Sequence, residues 1–176
     1  MAGIFPPFFM DCPSLKYYFP SPISLKLRIY ITKTHIQEIC LDSTSYTGLE
    51  CLFYFKADPC RKPILKFVNQ ILSWLLSYAN KQPREFSLPI KLQSNKEDLA
   101  IIEALSSLKF GSFVTEAFFL EKLGLNQINF NCWMKSKPFI PFIPAHRVLP
   151  SSLRSTPSPN QHKLLNLLRS FEETAL

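Results

Sequence analysis

Three prolines at three-residue spacing, Pro138, Pro141 and Pro144, sit inside an apolar run that reads PFIPFIPAHRVL from Pro138 to Leu149. Each proline fixes φ and lacks an amide hydrogen, and each biases the residue before it away from the helical region. The run can therefore be neither a helix nor a central strand, and it is expected to cross the molecule as an extended segment.

The chain around this run divides into two halves. In the first, Leu25, Leu27, Ile29 and Ile31 alternate with Lys26, Arg28 and Tyr30, the period of a half-buried strand. Thr32 to His35 turn the chain into a second strand, Ile36 to Leu41, and Leu49 to Phe55 reads as a third after Gly48. Ile64, Leu65, Val68, Ile71, Leu72, Leu75, Leu76 and Ala79 then recur at three- and four-residue steps, which predicts an amphipathic helix after Pro63 that covers the sheet. Glu85 to Ile90 is a short extended piece. Residues 1 to 22 carry aromatics between prolines without a clear period and read as an irregular arm.

The second half reads as helical. Ser94 with Glu97 has the form of a capping box ahead of a helix striped by Ile101, Ile102, Leu105 and Leu108, and Gly111 ends it. Thr115 can cap a short helix from Glu116 to Leu123, and Gly124 turns the chain into another near Asn126 to Met134. Two short helices joined across a glycine have the form of a helix-turn-helix, or of an ordinary helical hairpin in a core. After the proline run and a Pro- and Ser-rich loop from Pro150 to Pro159, Leu164, Leu165, Leu167, Leu168 and Phe171 stripe a final helix.

The formal charge is +7, and it is unevenly placed. Lys122, Lys135, Lys137, Arg147, Arg154, Lys163 and Arg169 fall in a stretch from Lys122 to Phe171 that contains no Asp or Glu. Such a tail favours an anionic partner. Cys12, Cys40, Cys51, Cys60 and Cys132 form no CxxC pair and have no histidines at ligand spacing, so neither a metal site nor a disulfide framework is expected. No apolar stretch reaches the length of a membrane span, and the N-terminus lacks the basic residues that open a secretory signal. A soluble protein of a reducing compartment, the cytoplasm, is expected.

The run from Pro138 to Leu149 resembles the active-site stretch of the alkylguanine-DNA alkyltransferases, the methylated-DNA-protein-cysteine methyltransferase family, whose pattern is Asn-Pro, several apolar residues, then Pro-Cys-His-Arg-Val. Trp74 to Ile90, with Tyr78, Arg84, Phe86, Leu88 and Pro89, is similar to the family's linking segment. Lys109, Phe110, Gly111, Val114 and Thr115 look like the start of its DNA-binding helices, and Glu172 stands where the family has the glutamate of its active-site network. The resemblance covers roughly residues 24 to 173. It implies an α/β fold: a ribonuclease-H-like N-terminal domain over residues 23 to 91, then a helical, winged helix-turn-helix-like DNA-binding domain over residues 92 to 176.

It also implies a mechanism that this chain lacks the means to complete. In the family a flipped guanine gives its alkyl group to a cysteine thiolate, and only the deprotonated sulfur is nucleophilic enough for that attack. The matching position here is Ala145, beside His146 and Glu172, which match the pair that deprotonates the cysteine through a water. No catalytic set is intact. The resemblance therefore implies a DNA-repair-related protein that binds alkylated guanine in double-stranded DNA without alkyl transfer. The alternative is a degenerate member that binds DNA non-specifically or serves only protein contacts, with the aromatic arm as its surface.

On this reading Thr115, Gln127, Ile128, Asn129, Lys135, Lys137 and Arg147 contact DNA, and Trp133, Met134, Pro144, Ala145 and Val148 line the base pocket. Arg147 has a second reading, as a structural group of the interior, and so do His146 as a core histidine and Glu172 as a solvated helix-end acid. The family's gap-filling arginine aligns with Ile128 and its tyrosine with Glu116, whose carboxylate is expected to face phosphates and repel them. Asn129, Phe130, Asn131, Cys132 and Trp133 replace the family's small recognition-helix residues and are expected to prevent equally deep insertion, although Phe and Trp in such a helix are more often core than groove wedge. Ser155 to Asn160 replace its Gly-x-Tyr loop. Expected partners are double-stranded DNA and a further repair protein acting on the complex; no cofactor, metal or membrane is expected, and the chain is expected to be a monomer.

Overall fold

The computed structural model describes residues 14–21, 23–32, 35–43, 47–55, 62–82, 89–90, 96–136, 139–150 and 159–174. The chain divides into two compact units, Met1–Leu92 and Gln93–Leu176.

The first unit is built on a four-stranded sheet of order β1-β4-β2-β3, formed by β1 (Ser14–Phe19), β2 (Ser24–Ile31), β3 (Ile36–Ser43) and β4 (Gly48–Phe55). The expected hairpin is present as the antiparallel β2–β3 pair, with Leu27 opposite Leu41 and Ile29 opposite Ile39. β4 returns parallel to β2, with Leu27 beside Cys51 and Ile29 beside Phe53. Alternation puts Leu25, Leu27, Ile29, Ile39, Leu49, Cys51, Phe53 and Phe55 on one face, and all are buried. The helix α1 (Lys62–Ala79) buries Ile64, Val68, Ile71, Trp74, Leu75, Tyr78 and Ala79 along one stripe. These two apolar surfaces form the core of the unit, each large side chain contributing about 1.5–3 kcal/mol of transfer free energy.

Part of the expected irregular arm is in fact an edge strand. Ser14–Phe19 pairs antiparallel with β4, and Tyr17 meets Phe53 edge to face at 5.8 Å between ring centroids. Leu15, Tyr17 and Phe19 do alternate with exposed neighbours, but one of those neighbours is the aromatic Tyr18, 50% exposed, which hides the period in the sequence. Lys16 of β1 and Lys26 of β2 flank the buried Glu50 at 2.7 and 3.7 Å, so the expected polar face of the sheet carries an ion-paired carboxylate. Ile36 bridges to Ile90, the end of the expected extended piece; Arg84, Phe86 and Leu88 lie outside the described residues.

The second unit contains α2 (Lys96–Ser106), β5 (Val114–Thr115), α3 (Glu116–Leu123), α4 (Gln127–Ser136), β6 (Val148–Leu149) and α5 (Pro159–Glu173). Ile101 and Leu105 are the buried stripe of α2; Ser94, the expected capping residue, lies outside the described residues. Thr115 caps α3 as expected, its hydroxyl accepting from the Phe118 amide, and Gly124 closes the helix at φ 62°. Asn126 then caps α4 by accepting from the Asn129 amide at 2.8 Å.

The proline run departs from expectation. Phe139 to Val148 is buried throughout, but it folds as a turn followed by a single 3-10 turn at Ala145–Arg147, not as an extended crossing. The Ile143, Ala145 and Arg147 amides donate to the carbonyls of Phe139, Ile143 and Pro144. A proline φ suits tight turns as well as extended chain, and the non-proline amides decide between them by finding partners locally. Among the described residues no helix is long and apolar enough to cross a membrane, and no cluster of side chains could hold a metal ion.

Candidate functional site

The 3-10 turn presents Ala145, His146 and Arg147 in succession, and all three are buried. α5 runs beside it with Glu172 facing inward on the same stripe as Leu165 and Leu168, because residues separated by three or four lie on one side of a helix. Glu172 is fully buried, which excludes its reading as a solvated helix-end acid.

Its carboxylate is saturated by donors. His146 Nε2 donates to Oε1 at 2.7 Å, and Arg147 gives Nε to Oε2 at 2.8 Å and Nη2 to Oε1 at 3.0 Å. The Gly111 amide donates to Oε2 at 3.0 Å. Burial alone would raise the Glu172 pKa, but the hydrogen bonds from His146 and Arg147, with the charge of Arg147, outweigh it and hold the group at about 2. His146 goes the other way. Its burial disfavours the imidazolium and lowers its pKa in spite of the Glu172 hydrogen bond, with Arg147 and Arg169 adding repulsion. The imidazole is thus neutral, with its hydrogen on Nε2 and its lone pair on Nδ1.

Arg147 also donates to the Leu108 carbonyl and lies over the Phe110 ring at 5.7 Å, while Phe110 meets Phe171 edge to face. One carboxylate therefore ties together the loop after α2, the 3-10 turn and α5. The structural reading of Arg147 holds and its expected contact with DNA does not, since both its charge and its donors are committed to the interior.

Of the remaining expected DNA contacts, Thr115, Ile128 and Asn129 are exposed and Gln127 half-buried. Ile128 is 73% exposed in the first turn of α4, the most exposed large apolar side chain among the described residues. Lys135 falls in the last turn of α4, and Lys137 lies outside the described residues. The expected pocket residues Trp133, Met134, Pro144, Ala145 and Val148 are all buried, Ala145 to 2% exposure.

The helix pair overturns one expectation and decides between two readings of another. Glu116 is only 2% exposed, so its carboxylate points into the protein and not toward a phosphate. Phe130 and Trp133 are buried too, stacked at 6.2 Å with Phe119 packed on Phe130 at 5.4 Å, and the side chains left outward on α4 are Ile128, Asn129 and Cys132. The bulk in this helix is core. Helical spacing dictates that split, since residues 130, 133 and 134 share one side and 128, 129 and 132 the other.

Arg169 joins the site without having been expected there. It is buried in α5, where Nε donates to the His146 carbonyl at 2.6 Å and Nη2 to the Val148 carbonyl at 2.8 Å. The signal was present in the sequence, because Arg169 and Glu172 are charges on the apolar stripe of a helix and such groups fold only with partners.

No protein-family model matches this sequence, and no curated protein sequence does. Solved structures do resemble it. The O6-methylguanine methyltransferase of Mycobacterium tuberculosis aligns with a TM-score of 0.56 over 86% of this chain and 94% of its own, at 13% identity. The Mycobacterium tuberculosis OGT in complex with DNA aligns with a TM-score of 0.53 over 85% of this chain and 96% of its own, at 17% identity. The chain shares their fold, an N-terminal sheet domain followed by a helical C-terminal one.

Proposed function

We propose that this chain is a DNA-binding, DNA-repair-related protein of the alkyltransferase type that recognises alkylated guanine in duplex DNA and does not accept the alkyl group. The observation that carries the reading is the residue at position 145. A buried methyl group stands at the head of the 3-10 turn, directly before a neutral histidine hydrogen-bonded to an ionised glutamate. The His146–Glu172 pair is ordered as a base and its orienting partner would be, yet at Ala145 there is no acidic hydrogen to remove.

The fold shared with a protein solved on DNA supports nucleic acid as the partner. So do the outward faces of α3 and α4, where Thr115, Gln127, Ile128 and Asn129 are assigned to the duplex, with Lys135 and Lys137 on its phosphates. Trp133, Met134, Pro144, Ala145 and Val148 are assigned to the wall that meets the flipped base. The protein works without a cofactor, and a second repair protein acts on the complex.

The test is incubation with a duplex carrying a radiolabelled alkyl group on guanine. Binding that is tighter than to the unmodified duplex, with no label on the protein, is the expected result. Label found covalently on the polypeptide defeats the proposal, and equal affinity for both duplexes removes its lesion recognition.

A further inference from the structure

Arg169 is buried beside the Glu172 cluster, and its donors go to one short segment and to its own helix. Besides the carbonyls of His146 and Val148, it reaches Asn166 Oδ1 at 2.9 Å. The two carbonyls bracket Arg147, where the 3-10 turn ends. A single 3-10 turn leaves its last carbonyls without helical partners, and a planar guanidinium offers donors in a fixed fork that can take two such oxygens at once.

The strand after the turn gives the clamp its reach. Val148 and Leu149 form β6, which pairs parallel with β5, Val114 beside Val148 and Thr115 beside Leu149. Thr115 is in turn the N-cap of α3. The chain of contacts runs from α5 through Arg169 to the turn, then across β6 and β5 to the start of the helix pair.

We infer that Arg169 is a positioning residue that sets the backbone of the 145–148 turn and keeps it in register with the start of α3. Glu172 orients the side chains of the turn and Arg169 its main chain, from successive turns of one helix. The functional consequence rests on the DNA-binding reading above: with the clamp released, the turn carrying Ala145 loses its fixed place relative to α3, and discrimination of a modified base falls before general affinity for duplex does.

The test compares the full-length protein with Arg169→Met and Arg169→Lys. Amide hydrogen exchange over residues 143–149 is read against that of α1, together with affinity for duplexes with and without O6-methylguanine. In Arg169→Met, exchange in the turn is expected to rise about tenfold or more with α1 unchanged, since local opening is freed while the rest of the fold stays closed. Lesion preference is expected to drop at least about threefold while affinity for unmodified duplex stays within about twofold. Arg169→Lys, which keeps the charge but not the fork, should restore part of both. Unchanged exchange in the turn overturns the inference, and so does a loosened turn with full lesion preference. Should Arg169→Met not fold, Arg169→Lys decides: exchange and preference equal to those of the natural protein overturn it. Equal affinity of the natural protein for both duplexes defeats the lesion reading instead and leaves the clamp to be judged on exchange alone.

Discussion

The Nε2 atom of His146 lies 2.7 Å from Oε1 of Glu172 with both side chains fully buried. Arg147 occupies the same carboxylate from another direction at 2.8 Å. The arrangement keeps a neutral imidazole and an anionic carboxylate side by side in the interior, and it sets how the protein responds to acid, to substitution and to an introduced thiol.

Acid should weaken the fold in two steps. Both pKa values are lower in the folded state than in the unfolded one, so the unfolded chain binds more protons and stability falls with pH. His146 acts first, below its ordinary value of 6.5, because the buried ring resists protonation. Glu172 follows, its contribution present above 4.5 and lost as pH falls toward about 2. A shift of that size corresponds to about 3 kcal/mol. Denaturant melts at stepped pH should show a decline that begins near 6.5; a flat profile down to pH 4 would contradict it.

Removing the carboxylate should cost more than removing the histidine. Glu172→Ala leaves the Arg147 charge buried without its counter-charge, a loss of about 3–5 kcal/mol. Glu172→Gln keeps the shape and one acceptor and should fall between that and the natural protein. Chemical denaturation ranks the variants, and Glu172→Ala with near-natural stability would show that the cluster contributes little.

Ala145→Cys places a thiol before the neutral His146, whose lone pair can take its proton. The variant should acquire label from alkylated duplex where the natural protein acquires none, because the remaining members of the site are already ordered. Transfer should be faster still in Ala145→Cys combined with Ile128→Arg, which restores the charge that the resemblance places at the gap. Absence of transfer in both would locate the deficit elsewhere in the pocket.

Ile128 separates binding from stability. At 73% exposure its truncation to alanine should change stability by less than about 0.5 kcal/mol. Affinity for duplex should nevertheless weaken, as expected for an apolar side chain placed against base steps. Ile128→Arg should instead steepen the dependence of binding on salt by about one phosphate contact. Titrations at several salt concentrations read both effects; an unaltered affinity in both variants would take Ile128 out of the interface.

Gly48 should resist substitution. Its φ is +145°, and an added Cβ would collide with the Tyr18 ring that closes over it from β1. Gly48→Ala should therefore loosen the edge pair of β1 and β4 and lower stability by about 1–3 kcal/mol. A thermal melt unchanged by the substitution would count against that packing.

Alternation and helical spacing alone determined β2 and α1, and turn and cap residues marked β3, β4 and the helix pair, because such signals are local in the chain. The run containing Ala145, His146 and Arg147 likewise marked the candidate site, since the identity of each side chain is a covalent fact that no packing can alter. Tertiary structure decided the rest. Whether Glu116, Phe130 and Trp133 faced DNA or core depended on the rotation of two short helices, whose weak amphipathicity leaves the facing surface to their neighbours. Tyr18 hid β1 until β4 supplied a partner, and Arg169 became a clamp only because α5 carried it to carbonyls 23 and 21 residues away in sequence. Long-range hydrogen bonds of that kind are fixed by how elements pack, and packing is not written in the period of any one of them.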